Sequence, residues 1–389
     1  MENGLLYILI LAAIGIGWWL GRRERKKSTD VVGPNYYQGL NYLLNEEPDR
    51  AFTTFIDNLE VNNDTLETHL ALGGLLRRRG ELDKAVVVHE NILSQARLSR
   101  KDMQGVQLEL ARDFMLAGLL DRAEEICAPL IQEADSDLRR DSLHIMLQIY
   151  EREKEWRQAV EVAKQLVTGD DSERYEKAIS HYYCELAEAQ LEQNKHDAAR
   201  ESIREAIGHG VNNPRTSLVR GRIDVSEGHY EHAIAALTRI RDQDPVYVPE
   251  SIESLEEVYR LDDRPQAEFR QYLESCLEMT PSITVVLALA KSIRDELGDE
   301  AVAKFIASHL KQNPTIRGLT QLIDLHIDNT DGVAKENLAI LRSFAEALVA
   351  DKPAYRCDGC GFEGKRMRWH CPVCRDWATI KPIFGLEGE

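Results

Sequence analysis

Along most of this chain an alanine returns at a near-constant interval, and that period limits the folds open to it. Ala51, Ala85, Ala123, Ala159, Ala199, Ala233, Ala267 and either Ala301 or Ala303 are separated by 34, 38, 36, 40, 34, 34 and 34 or 36 residues. An interval of this size fits a helix-turn-helix unit in which two helices pack closely and a small side chain marks the contact. One unit cannot bury its apolar face alone, so units stack into an array. A chain of 389 residues with 43% hydrophobic content has room for roughly eight or nine such pairs.

Other positions recur around the marker. The first unit carries Gly39, Tyr42, Ala51 and Phe55; the second Leu72, Gly73, Gly80 and Ala85; the sixth Gly221, Gly228, Ala233, Leu237 and Pro245. Glycine permits close helix crossing and a tight turn, and aromatic residues fill the space between helices. This order resembles the tetratricopeptide repeat. The third to fifth units lose signature residues, and the last two are degenerate, with helices expected from periodicity over Ile283–Glu296 and Leu338–Val349. The predicted fold class is all-α, a tetratricopeptide superhelical solenoid over residues 35–350, with a transmembrane helix before it and a small cysteine-bearing ribbon after it. Such a solenoid offers a concave face to a peptide or protein. Asn35, Tyr42, His69, Arg77 and Arg112 are candidates for that face, against the plainer reading of each as solvated surface.

Residues 4–21 read GLLYILILAAIGIGWWLG, without a charge, and as a helix they reach about 27 Å, enough to cross a bilayer. A cleaved signal would need positive charge before the apolar run. Here the cations follow it, as Arg22, Arg23, Arg25, Lys26 and Lys27. The expectation is an anchor at residues 1–21 and a basic juxtamembrane linker at 22–34, with the amino terminus outside and the rest cytoplasmic. Trp18 and Trp19 suit an interfacial belt. Ala13, Gly17 and Gly21 line one face at the spacing that admits a second helix, although small residues are also common in any membrane helix.

The last stretch, residues 351–389, holds Cys357 and Cys360 as one C-x-x-C pair and Cys371 and Cys374 as a second. Two such knuckles place four thiolates around one tetrahedral ion, with no position left for water. Structural zinc leads, because so short a module needs a metal to fold. An iron centre uses the same ligands, and thiol-disulfide exchange is a third reading. Gly361 frees the backbone after the first knuckle, Pro372 stiffens the second, and His370 is read as a neighbour of the metal shell or as surface. Cys127, Cys184 and Cys276 stand alone in helical patterns and read as buried apolar residues in a reducing compartment.

Charge narrows the partners. Lysine and arginine total 48 against 66 acids, a formal charge of −18, which opposes nucleic-acid binding. The ribbon itself is basic through Arg356, Lys365, Arg366, Arg368, Arg375 and Lys381, so it is expected to dock on its own acidic array with Trp369, Trp377 and Phe384 as apolar contacts. Motifs of hydrolases and nucleotide-binding enzymes are missing, and His144, His181, His209, His229 and His232 are scattered without a partner at ligand spacing.

The order of parts, and above all Cys357-x-x-Cys360-Gly361 with Trp369-His370-Cys371-Pro372-x-Cys374, resembles the lipopolysaccharide assembly protein B family of Gram-negative bacteria over the full chain, with the last stretch as its rubredoxin-like zinc ribbon. The resemblance implies a non-enzymatic adaptor at the cytoplasmic face of the inner membrane. It would help a membrane-bound AAA+ zinc protease degrade the deacetylase that commits precursor to lipid A, under restraint by an inner-membrane regulator. Cys357, Cys360, Cys371 and Cys374 carry over as metal ligands; no short motif marks the partner-binding residues. A general scaffold for lipopolysaccharide assembly proteins and an iron-containing redox protein remain as alternatives, and the oligomeric state stays open.

Overall fold

The structure, a computed structural model, describes residues 34–45, 47–58, 65–94, 98–210 and 212–389, together with Gly15 and Trp18. Apart from those two positions the predicted span at residues 4–21 lies outside the described residues. Among the described residues no helix is long and apolar enough to cross a membrane.

The chain forms two compact units, Met1–Glu153 and Lys154–Glu389. In the first, α1 (Pro34–Leu44) pairs with α2 (Pro48–Asn58), α3 (Leu66–Arg78) with α4 (Leu82–Ser94), and α5 (Arg100–Ala117) with α6 (Leu120–Glu133), followed by α7 (Ser136–Glu153). Pro34, expected in a linker, instead opens α1, where a missing amide costs nothing. The second unit runs through α8 (Trp156–Leu166), α9 (Ser172–Glu192), α10 (His196–His209), α11 (Pro214–Ser226), α12 (Tyr230–Thr238), α13 (Ile240–Gln243), α14 (Pro249–Leu261), α15 (Gln266–Met279), α16 (Ile283–Gln312), α17 (Ile316–Asp328) and α18 (Val333–Val349).

Six of the alanine markers are fully buried, each as the fourth residue of its helix: Ala51, Ala85, Ala123, Ala159, Ala199 and Ala233. In the units of Ala51, Ala85 and Ala233, the residue four positions further on meets a glycine of the preceding helix. A Cβ at Gly39 would fall 2.8 Å from the Phe55 ring, and one at Gly221 would fall 2.6 Å from Leu237. The later markers, expected at the helix contact, lie outside it. Ala267 is exposed and Ala301 and Ala303 are only half-buried, while the fourth position of α15 holds Phe269 and the buried residue beside Ala301 is Val302. Larger side chains there replace the small-residue contact, which is why the repeat signature fades.

The turns show a second regularity. Gly80, Gly118 and Gly228 have φ of +80°, +78° and +74°, and in the weaker units Lys154, Asn194 and Asp263 occupy the corresponding place with φ of 58°, 57° and 48°. The amide after the left-handed residue reaches the carbonyl five positions back, as from Glu81 to Leu76, Lys195 to Gln190 and Arg264 to Tyr259. The predicted helix Ile283–Glu296 is the first arm of α16, which breaks at Gly298 (φ 75°, ψ 177°).

After α18 the chain forms a small antiparallel sheet in the order β2-β1-β3, from β1 (Tyr355–Cys357), β2 (Glu363–Gly364) and β3 (Ile380–Pro382). Tyr355 faces Gly364 on one side and Pro382 on the other. Cys357, Cys371 and Ile380 form its buried centre, with Phe362 and Met367 against them.

Candidate metal centre and its seat on the helices

The two knuckles are built alike. Gly361 follows Cys360 with φ of +75°, and its amide donates to the Cys357 carbonyl at 2.9 Å. Arg375 follows Cys374 with φ of 59°, and its amide donates to the Cys371 carbonyl at 3.0 Å. The sequence offered glycine as the signal for this turn and so marked only the first. Inside each turn amides approach sulfur: those of Gly359 and Cys360 at Cys357, and those of Val373 and Cys374 at Cys371.

All four Sγ atoms lie within 4.8 Å of one another, with Cys357 and Cys374 3.7 Å apart and Cys360 and Cys371 3.6 Å apart. A tetrahedron with metal–sulfur bonds of about 2.3 Å has edges of about 3.8 Å, so the thiols fit one ion. The separations are far beyond a disulfide bond of about 2.05 Å. At Cys357 burial opposes ionisation, but the Thr379 hydroxyl at 3.3 Å and the Cys360 and Gly359 amides outweigh it and bring the thiol to about 6. At Cys374 burial and the neighbouring thiols prevail over the Asp376 amide and push it up to about 12. Four sulfurs this close do not ionise together without a cation, and a divalent metal supplies that charge. Zinc and iron both accept this donor set.

The ribbon is seated on the second unit through aromatic rings. Trp377, 5% exposed, stacks on His370 at 4.4 Å and on His181 of α9 at 5.1 Å, with interplanar angles of 14° and 15°. Trp156 and Tyr182 meet the same indole edge-on at 6.1 and 5.5 Å. Trp369 lies 5.0 Å from the Tyr247 ring, and the Tyr247 hydroxyl donates to the Ile380 carbonyl of β3 at 3.1 Å. The Arg215 guanidinium sits 5.8 and 5.9 Å from the two indoles, a cation–π arrangement, and is held by Glu185 at 2.7 Å and Glu188 at 2.6 Å. Phe384 is half-buried and enters no ring contact of this stack.

Docking of a basic ribbon on acidic helices was expected, and the polarity is mixed instead. Lys381 approaches Asp244 at 3.7 Å, but Arg174 of the array meets Asp376 of the ribbon at 3.1 Å. Arg356 and Lys365 pair with Glu363 and Asp351 of the same module, and Arg366 and Arg368 are exposed. Surface pairs contribute little and aromatic burial much, so packing decides the seat. Sequence reasoning also missed Glu389, whose carboxylate accepts from Ser282 Oγ at 2.8 Å and the Thr284 amide at 3.1 Å at the amino end of α16.

The other candidates divide. His69 is buried on Phe55 and so is neither groove lining nor solvated surface. Arg77 is largely buried against Glu109 and Asp113, and Arg112 pairs with Asp141 at 2.6 Å. Both arginines line a cleft of about 260 Å³ with Met115, Leu116 and His144. Tyr42 is half-buried, and the Asn35 side chain lies outside those described. His209 pairs with Glu176 at 2.5 Å, and His181 belongs to the seat rather than standing alone. Asp224, Glu227 and His229 converge closely enough for a metal, yet the Arg200 guanidinium already occupies their centre, 2.7 Å from His229 and 3.5 Å from Asp224. Cys127 and Cys184 are buried, as expected, and burial pushes each thiol up to about 12.

Paired helices carrying a closed four-sulfur ribbon define a tetratricopeptide-repeat protein with a rubredoxin-type metal domain. The rubredoxin metal binding domain family matches residues 355–382, and the tetratricopeptide repeat family matches residues 180–208. The chain belongs to the lipopolysaccharide assembly protein B family. It is 36% identical over 390 residues to lipopolysaccharide assembly protein B of Escherichia coli (strain K12), covering 99% of both chains. It is 30% identical to the Haemophilus influenzae protein of that name, covering 98% of this chain and 99% of that one. A crystal structure of a tetratricopeptide repeat protein from Parabacteroides merdae aligns at 12% identity and a TM-score of 0.35, over 68% of this chain and 99% of that one.

Proposed function

We propose that this protein is a non-enzymatic adaptor in lipopolysaccharide assembly, tethered to the bacterial inner membrane by residues 4–21 with its amino terminus periplasmic and its repeats cytoplasmic. In this role it presents the lipid A deacetylase to a membrane-bound AAA+ protease and so limits lipopolysaccharide synthesis, with inner-membrane regulatory and assembly proteins as further partners. The observation that supports it best is the union of full-length likeness to proteins of that name with a metal centre of closed donor set. Four cysteines fill a tetrahedral shell, so the metal they hold serves shape and not hydrolysis. A cluster of rings then fixes the ribbon to the helices, and the repeats remain as the surface that binds.

The test is the half-life of the deacetylase in cells with and without the protein. Loss of the protein is expected to lengthen it. An unchanged half-life would sink the proteolytic reading; displacement of the assembly enzymes under that condition would favour a general scaffold.

A further inference from the structure

Helix α18 packs on α17 through Ala345, with Arg342 reaching Asp324 at 2.6 Å. A second face of the same helix is uncovered. Val333, Ile340, Leu341, Phe344 and Leu348 are 72, 52, 55, 65 and 64% exposed. With Asn337 they fall within a stripe of about 100° around the helix. About its midpoint the stripe maps apolar onto apolar at its ends and centre, and Asn337 onto Phe344. Val333 and Leu348, Asn337 and Phe344, and Ile340 and Leu341 are each equidistant from the midpoint between residues 340 and 341.

A twofold contact between identical surfaces demands this pattern, because residue i must meet j while j meets i. We propose that this stripe is the twofold contact of a dimer between two copies of this chain, with α18 laid antiparallel on α18. Val333 of one copy then meets Leu348 of the other, and Ile340 meets Leu341. Lys335, Arg342 and Glu346 lie on the far side of the helix wheel, so of the helix's charges only Glu336 borders the seam. The five side chains offer about 500 Å² per copy and about 1,000 Å² in the pair, the lower bound for a specific contact. A lipid surface fits less well: interfacial helices border their apolar face with lysine and arginine, and this chain carries −18.

The test uses the full-length protein, purified in detergent and treated with a short bismaleimide. The variant I340C is expected to give a covalent dimer. V333C and L348C alone are expected to give none, since each lies far from its own copy, whereas a mixture of V333C and L348C chains cross-links. Adding F344E to I340C should lower the yield at least about tenfold with helix and metal content unchanged. Failure of I340C to cross-link, indifference to F344E with the fold retained, or equal cross-linking of V333C alone would overturn the proposal and assign the stripe to membrane or to another protein.

Discussion

Arg215 and His181 are buried side by side beneath the ribbon, and each resolves its burial differently. Desolvation works against the Arg215 charge, but Glu188 and Glu185 outweigh it and keep the guanidinium ionised. Among the described residues His181 has no carboxylate partner. Burial first, then Arg215, Lys177 and His370, hold its pKa well below the ordinary 6.5, so the folded protein keeps a neutral ring. Below pH 6.5 the unfolded chain binds a proton that the folded one refuses. Stability from this residue is thus complete above that pH and falls as pH drops, by at most about 1.4 kcal/mol per unit. Replacing His181 with Phe is expected to flatten the pH dependence of unfolding by about one proton between pH 6.5 and roughly pH 5. Urea titrations across that window measure it, and an unaltered slope would refute the assignment. The two tryptophans of the seat were legible in the sequence as large apolar residues in a small module. His181 was not, because a lone histidine on a helix carries no sign that its partner lies nearly two hundred positions away.

At the level of elements, the repeat could be read wherever glycine and alanine mark close approach. It was lost where another residue fills the same geometry. Lys154, Asn194 and Asp263 adopt the left-handed turn without glycine, and Phe269 stands where alanine was expected. Arg375 does the same in the second knuckle. The four metal ligands were fully legible, since two C-x-x-C pairs admit few other uses. Because β3 is bonded to Tyr247 and Trp377 is wedged among α8, α9 and the ribbon, metal loss should be felt by the helices. Cys371→Ser is expected to abolish stoichiometric metal and to lower the thermal midpoint of helix unfolding by about 10 °C. Far-UV circular dichroism decides it: metal loss with an unchanged midpoint would mean that the ribbon melts alone.

For the whole molecule, bulk charge was a poor guide to internal docking. A net of −18 suggested basic ribbon on acidic helices, but local pairs such as Arg174 with Asp376 run the other way, and only contact geometry could show it. The predicted tether acts at this same scale. A short connection to the bilayer would raise the local concentration of a client beside a membrane protease, to about millimolar. A chain lacking residues 1–21 is expected to fold, bind metal and retain client binding, yet leave deacetylase half-life as long as in cells without the protein. Full restoration of turnover by the truncated chain would remove the tether from the mechanism.

The ring stack has a practical consequence. Of the chain's five tryptophans, Trp156, Trp369 and Trp377 meet in one cluster beside the sulfur site, and the other two are Trp18 and Trp19. Three of the five indoles therefore report on one place, and in a chain lacking residues 1–21 they are all of the tryptophans. Ribbon release would change the emission of three indoles together, and the event could be timed in a stopped-flow cell without attaching a dye.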